Sequence, residues 1–490
     1  MKKTETPAKK IVTRFAPSPT GFLHIGGVRT ALFAYLWARK NNGTFILRIE
    51  DTDKEREVAG SVEQIIKTLG WLGIDFDYGP EKPGPFGSCI QSERLATHQE
   101  YAQKLIDKGL AYPDPYTQEE LEGFREKAKM EKQPFLFRDH RPEKFEKWDG
   151  SKPLRFKVSE IKRYKWHDEV RGDLEAGEDA LDDFILIKSD GYPTYNFAHI
   201  IDDHLMGVTH VMRGDEYISS MPRFLSLYDA LEIEYPIFAT LPPILREDKT
   251  KKLSKRDGVK DVLEYRAEGF LPETFINFLA FIGWNPGTEQ EIFSRDELMS
   301  AFELGGIQKA GAVFNEVKLL WLNHEWIKKM PEKERNEKIR SVIADFNNAL
   351  SLTDDFLTKI APIIIERVQK WSDLKIMLES GELDYFFSLP KIENKEKLVW
   401  RDEKDSANTL EYLTEVIKKL NNTDAKDWDT SVELKNVIWD YATEKGRGAV
   451  LWPIRYALTG KDKSPDPFVV ASILGKEETL KRLKNAIALF

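Results

Sequence analysis

Two stretches of this sequence carry residues suited to handling phosphate. In the first, Arg14-Phe15-Ala16-Pro17-Ser18-Pro19-Thr20-Gly21 runs into His24-Ile25-Gly26-Gly27. Glycines let a ligand come close to the backbone, and a helix start favours an anion. His24, placed there, can donate to a phosphate oxygen. Taken alone, the stretch reads better as a helix cap with two packing glycines. The second stretch is Lys251-Lys252-Leu253-Ser254-Lys255-Arg256-Asp257-Gly258. Several cations and a hydroxyl on one loop suit a reaction that builds negative charge on phosphate oxygens. A lone cluster of that kind is ordinarily a solvated loop. Both together, in this order and each between a strand and a helix, are far more specific. No Ser-His-Asp arrangement is evident. One cysteine, Cys89, cannot form a thiolate zinc site alone.

The elements that must position these residues begin with a β-α-β unit. Residues 11–15 read as a strand, and residues 16–23 as a Pro/Gly-rich loop. A helix is expected over 26–40, with Val28, Ala31, Leu32, Tyr35 and Leu36 at helical spacing. Asn42-Gly43 ends it, and residues 44–50 form the next strand. Such an order predicts a parallel sheet with ligands at the carboxyl ends of its strands. Helices follow at 58–69 and 93–108, and Thr117-Gln118-Glu119-Glu120 is a capping box opening a polar helix to about 132. Antiparallel strands are expected at 154–158, 164–171 and 184–188, so residues 92–194 read as an inserted α+β domain. Alternation resumes with a strand at 208–213, a helix at 218–231 and a strand at 237–245. After Lys260 nearly every periodic segment is helical. The fold class is therefore α/β: a doubly wound, Rossmann-like nucleotide-binding domain (1–91 and 195–245) split by the insertion. A linking fold over 246–330 carries the lysine loop, and a helical region spans 331–490.

Length and composition agree with several domains. A chain of 490 residues with 41% hydrophobic and 32% charged residues can pack cores and is not globally disordered. No apolar run approaches a membrane span; the best, 275–284, is short and interrupted by Asn277. The opening MKKTETPAKK has no apolar stretch behind it, so no secretory signal is expected. The net charge of −9 argues against indiscriminate nucleic-acid binding and for a partner recognised by shape and specific contacts.

The paired motifs resemble the "HIGH" and "KMSKS" signatures of class I aminoacyl-tRNA synthetases, and more narrowly the bacterial-type glutamyl-tRNA synthetases. The resemblance rests on RFAPSPTGFLHIGGVRTALF (14–33), RIEDTD (48–53), DGYPTYNFA (190–198), DDHLMGVTHVMRG (202–214) and KKLSKRDG (251–258), with GRGAVLWPIRYALTG (446–460) as a weaker match. It implies ATP-dependent attachment of glutamate to tRNA through a glutamyl-adenylate. Magnesium arrives with the ATP. It further implies ATP contacts from Gly21, His24, Gly26, Lys252, Ser254 and Lys255, with His24, Lys252 and Lys255 acting in the chemistry. Arg14, Ser18, Glu50, Tyr195, His199 and Arg213 would line the glutamate pocket. Two carboxylates and one ammonium call for two arginines and one acid. Arg14 is the candidate for the side-chain carboxylate and Arg213 for the α-carboxylate, although the two assignments can be exchanged. The ordinary reading of Glu50 with Arg48 is a strand-end ion pair, and of Tyr195 a core aromatic.

By the same resemblance the insertion contacts the tRNA acceptor stem and the helical region reads the anticodon, with Arg367 and Arg447 as candidate tRNA contacts. Each has an ordinary alternative, a helix-surface ion pair for Arg367 and a turn for Gly446-Arg447-Gly448. His199 stands where some relatives carry Asn, and Tyr217 where Trp or His is frequent. Some relatives hold zinc in the insertion through cysteines, whereas residues 111–116 here read AYPDPY. No structural zinc is expected. The protein is expected to be a cytoplasmic monomer with no membrane attachment. An enzyme that also charges glutamine tRNA, and a non-catalytic tRNA-binding paralogue, are the competing readings.

Overall fold

The computed structural model describes residues 10–178, 181–249, 251–253, 260–347, 352–403 and 406–490. It opens with β1 (Val12–Phe15), α1 (Ile25–Lys40) and β2 (Thr44–Leu47). Strands β1 and β2 are parallel, with Val12 opposite Thr44 and Arg14 opposite Ile46. All four residues of β2 are buried, as a strand covered on both faces requires. The helices α2 (Ser61–Leu72) and α3 (Leu95–Asp107) follow. Gly73, at φ +63°, ends α2 in the left-handed conformation that glycine adopts readily.

Next come β3 (Ala111–Pro113), α4 (Gln118–Met130), β4 (Leu154–Phe156), β5 (Tyr164–Asp168), β6 (Gly172–Ala176) and β7 (Phe184–Ile187). The capping box of α4 is present, Thr117 and Glu120 bonding to each other's backbone amides. After it the alternation returns as α5 (Tyr195–Leu205), β8 (His210–Gly214), α6 (Met221–Leu231), β9 (Ile237–Leu241) and the short β10 (Ile244–Leu245). The main sheet has the order β2-β1-β8-β9-β5-β6, and only the β5–β6 pairing within it is antiparallel. Strands β3, β4 and β7 form a separate antiparallel sheet.

Two strands of the 92–194 segment thus extend the main sheet instead of staying within the insertion. The reason is Asp168. Strand β5 meets β9 at one bridge, Asp168 opposite Phe238. The buried Asp168 carboxylate supplies what that short ladder lacks. Its Oδ1 accepts from the amides of Val170 (3.0 Å), Arg171 (2.9 Å) and Thr240 (3.1 Å), and its Oδ2 from the Thr240 hydroxyl (2.6 Å). One hydrophobic cluster then runs from Ile46 through Leu105, Phe156 and Trp166 to Phe197, Ile200 and Phe224, under both sheets.

Beyond the lysine loop lie α7 (Val262–Ala267), α8 (Pro272–Phe281), α9 (Arg295–Ala301) and β11 (Ala312–Val313), the last pairing parallel with β10. The remaining helices are α10 (Glu316–Lys329), α11 (Glu332–Phe346), α12 (Asp354–Ile365), α13 (Trp371–Glu379), α14 (Ser406–Asn421), α15 (Ser431–Lys445), α16 (Arg447–Thr459) and α17 (Pro467–Ile487). The chain divides into two compact units, 1–322 and 323–490. That break falls inside α10, whose continuous helix hides it from sequence periodicity. Within the second unit, the buried Arg482 ties α17 to its neighbours by donating to the carbonyls of Tyr385 (2.7 Å), Leu458 (2.8 Å) and Ser388 (3.1 Å). Among the described residues no helix is long and apolar enough to cross a membrane.

Replacing Asp168 by Ala strands three buried amides and should destabilise the first unit by about 2–4 kcal/mol. Hydrogen exchange should quicken first in the β5–β6 hairpin. Unchanged protection there would show that apolar packing alone holds the hairpin to the sheet.

Candidate active site

The carboxyl ends of β1, β8 and β9 open onto two joined cavities. One, of about 570 Å³, is lined by His24, Gly26, Arg29, Gly214, Pro242 and Lys252 among others. The other, of about 420 Å³, is lined by Arg14, Ser18, Gly21, Glu50, Tyr195 and Arg213 among others. They share His24, Gly27, Thr30, Gly214 and Glu216, so a molecule in one lobe meets a molecule in the other. His24 caps α1, its Nδ1 accepting from the Gly26 amide at 3.1 Å. A Cβ on Gly27 would lie 2.6 Å from the Leu23 side chain, so glycine there permits the tight helix start. Arg29 is buried and donates to the carbonyls of Ile282 (3.2 Å) and Pro242; burial brings its guanidinium down to about 10.

The predicted site residues gather around these lobes, with three qualifications. Lys252 lies in the larger lobe but is half-exposed and bound to Glu216 at 2.9 Å, with Asp215 at 3.9 Å. Ser254 and Lys255 lie outside the described residues. His199 does not line either cavity. It is buried behind the wall, stacked on Tyr195 with centroids 4.6 Å apart, and its Nδ1 donates to the Tyr195 carbonyl at 2.7 Å. Its influence on a ligand therefore passes through Tyr195, which itself faces the smaller lobe.

The smaller lobe rests on a buried chain of charges. Asp203 accepts from Arg14 Nε at 3.1 and 3.3 Å and from Arg48 Nη1 at 2.7 Å. Arg48 Nη2 and Nε reach Glu50 Oε1 at 2.9 and 3.3 Å. The strand-end ion pair of Arg48 with Glu50 is thus present, and its Glu50 lines the cavity while Arg48 lies wholly buried behind it. Burial alone would raise the Asp203 carboxyl, but Arg14 and Arg48 outweigh it and hold it at about 2. Glu50 goes the other way, since burial lifts it above the usual carboxylate range despite Arg48 and Arg14.

Arg213 is different in kind. It is 6% exposed, and among the described residues no carboxylate pairs with it. The rings of Tyr217 (5.4 Å), Phe224 (4.9 Å) and Phe238 (5.4 Å) surround its guanidinium, and Nη2 points at the Met221 sulfur. Cation–π contacts offset only part of the desolvation of a buried cation. With the lobe's other acid, Glu216, already paired with Lys252, three arginines and two acids leave one positive charge, which calls for an anion.

Sequence reasoning overlooked Asp203 and gave Arg48 only a structural part. A signal existed: Tyr195, His199 and Asp203 recur at four-residue spacing, one face of α5, and an acid on such a buried face needs cationic partners. In the second unit, Arg367 forms the surface ion pair that was its ordinary reading, with Glu382. Arg447 lies over the Trp439 ring at 4.5 Å and donates from Nε to the Thr443 hydroxyl at 3.4 Å. Residues 111–116 are tied through Asp183, which accepts from the Tyr112 hydroxyl (2.6 Å), Arg141 Nε and Nη2 (2.7 and 2.6 Å) and the Val158 amide (2.9 Å). Among the described residues no group of three His, Cys, Asp or Glu could hold a metal ion.

Burial lowers the His199 imidazole to about 3, against an ordinary value of 6.5. The unfolded chain then binds a proton that the folded chain refuses, so stability falls as pH drops from about 6.5 toward 3. Replacing His199 by Asn should flatten that part of the urea-denaturation profile. A variant with the parent's slope between those values would place the proton elsewhere.

Comparison with known proteins matches the two units to two families. Residues 10–321 match the tRNA synthetases class I (E and Q), catalytic domain, and residues 324–487 match an anticodon binding domain. Glutamate–tRNA ligases of Clostridium kluyveri and Clostridium botulinum strain Okra are 41% and 42% identical, covering 98% of this chain and 98% of theirs. A glutamate tRNA ligase from Elizabethkingia meningosepticum, crystallised in complex with its amino acid, superposes with a TM-score of 0.86 at 35% identity. It covers 98% of this chain and 100% of that one. The glutamate–tRNA synthetase of Elizabethkingia anophelis has the same coverage and identity, with a TM-score of 0.82. With its catalytic and anticodon-binding parts both matched and 98% of its length covered, the chain belongs to the glutamate–tRNA ligases of the class I tRNA synthetase family.

Proposed function

We propose that this glutamate–tRNA ligase divides its two-step reaction between the joined lobes. Glutamate occupies the smaller lobe and ATP, as its magnesium complex, the larger. An oxygen of the α-carboxylate attacks the α-phosphorus, and pyrophosphate leaves. The terminal ribose of tRNA then attacks the carbonyl carbon, and AMP departs. Neither step needs a protein nucleophile, so positioning and charge neutralisation carry the rate.

The observation that carries this reading is Arg213, a buried cation on the cavity wall with no carboxylate partner among the described residues. Bound glutamate has two carboxylates and one ammonium, a net charge of −1. That charge neutralises the lobe as built. Arg213 and Arg14 take one carboxylate each, Glu50 takes the ammonium, and Ser18 and Tyr195 complete the pocket. His24, Gly21 and Gly26 meet the ATP, with Ser254, Lys255 and Lys252 closing on its phosphates once Lys252 leaves Glu216. In the second half, residues 331–490 read the anticodon, and Arg447 on its Trp439 ring suits an exposed base better than Arg367, which already has Glu382. The insertion meets the acceptor stem, and its fold is held without structural zinc. The protein works as a cytoplasmic monomer.

Replacing His24 or Lys255 by Ala should cut tRNA-dependent ATP–pyrophosphate exchange by about 10²–10³, with the fold intact by circular dichroism. Near-normal exchange in either variant would remove that residue from the chemistry. Truncation after Met330 should leave ATP binding within a few-fold and abolish most tRNA affinity, because many of the base and backbone contacts go with the lost half. Selective charging by a folded truncated protein would give the helical half another task.

A further inference from the structure

Recognition of an amino acid by arginine requires the guanidinium fork to be aimed before the ligand arrives. Arg14 offers five N–H groups, and the protein uses two of its three nitrogens. Nε is committed to Asp203, and Nη1 donates to the Met212 carbonyl at 3.2 Å. What remains is Nη2 and one Nη1 hydrogen on a side chain that lines the smaller cavity. Asp203 itself does not line that cavity. It is 2% exposed, and besides Arg14 it binds Arg48, which is wholly buried and anchored in turn to Glu50.

We propose that Asp203 is the positioning residue of the glutamate pocket: held by Arg48, it clamps Arg14 Nε so that the free side of the guanidinium presents two donors to a ligand carboxylate. The same bridge couples the cationic wall to the anionic one. Arg48 joins Asp203 to Glu50, so the fork for the carboxylate and the acid for the ammonium are fixed by a single buried group. Asp203 also keeps the count of charges. Without it, Arg14 and Arg48 would face Glu50 alone, and the carboxylate of Glu50 would turn toward them instead of toward an ammonium. Two further features fix where the carboxylate lies. It is on the same face of α5 as Tyr195 and His199, whose stacked rings occupy the two turns before it. Asp202, its neighbour, is separately engaged by Arg94 (2.7 Å), Gln91 (2.8 Å) and His98 (3.2 Å), so the two acids do not compete for the same cations.

This inference rests on the reading of Arg14 as a glutamate contact, and the experiment separates the two. Aminoacylation kinetics are measured for Asp203→Asn, Asp203→Glu, Arg14→Lys and the double variant Asp203→Asn/Arg14→Lys. Asp203→Glu keeps the charge balance of the buried chain, so it remains informative if Asp203→Asn fails to fold. Both Asp203 variants should raise KM for glutamate about 10- to 100-fold, the size of a lost charge-assisted contact, while KM for ATP stays within about twofold. In the double variant the Asp203 effect should largely vanish, because its route through Arg14 is already lost. Should Arg14→Lys leave the glutamate KM unchanged, the pocket reading itself fails. Should Arg14→Lys raise it while folded Asp203→Glu leaves it unchanged, or should the two effects multiply in the double variant, the positioning role of Asp203 is overturned and the pocket reading stands.

Discussion

A carboxylate shared by two arginines, out of reach of water, is the constraint around which the catalytic unit is arranged. Taking Asp203, Arg14 and Arg48 out of solvent carries a large desolvation penalty, recovered only with close, multiple contacts. Strand register supplies those contacts. Arg14 lies opposite Ile46 in the β1–β2 ladder, and Arg48 is two residues beyond Ile46, so both guanidinium groups project from one face of the sheet. A slip of one residue would send one of them to the other face. The ladder continues past the strands, with the Arg48 amide bonding the Phe15 carbonyl at 2.9 Å, and that is what holds Arg48 level with the start of the Pro17–Gly21 loop. Helix α5 then has to settle on this face with Asp203 inward.

The same arrangement defines what the pocket can hold. Within the chain Arg14–Asp203–Arg48–Glu50 the charges cancel, leaving Arg213 as the one buried cation there whose counter-ion is missing among the described residues. Its aromatic surroundings stabilise the cation without neutralising it, which keeps the affinity for an anion high. On the proposed reading, glutamine would still offer its α-carboxylate but, with no net charge, would leave the lobe's positive charge uncompensated. On that reading, the electrostatics of the pocket distinguish the acid from its amide before any individual hydrogen bond is considered.

Much of this was legible in the sequence because it is local. The β-α-β start, the His24 helix start, the Thr117 capping box and the helical second half all follow from periodicity, caps and glycine placement over a few residues. The parts that were not legible join distant residues. Arg14 and Asp203 are 189 positions apart, and periodicity marks a buried acid without naming its partner. The β5–β6 hairpin looked like part of the insertion because one bridge and one carboxylate attach it to β9, and a single Asp leaves no pattern. His199 was placed in the pocket by resemblance, whereas its ring lies one layer behind, where only the stacking on Tyr195 reveals its effect.

Two electrostatic regimes thus meet in one site, and the difference fits the two things the site must do. The smaller lobe, proposed for glutamate, has charges that are buried, mutually bonded and fixed, and selecting a small anion depends on donors that do not move. The larger lobe, proposed for ATP, carries an exposed lysine, Lys252, resting on Glu216. Exposed pairs of this kind are worth on the order of 1 kcal/mol or less, so a triphosphate with several negative charges can take the lysine from its carboxylate. Had Lys252 been buried against Glu216, releasing it would leave a stranded charge and resist the transfer. In the proposed reaction, keeping that cation in solvent makes its position conditional on ATP, while keeping Arg14 and Arg48 out of solvent makes theirs unconditional. On that proposal recognition is built into the fold, and phosphate neutralisation is left to arrive with the substrate.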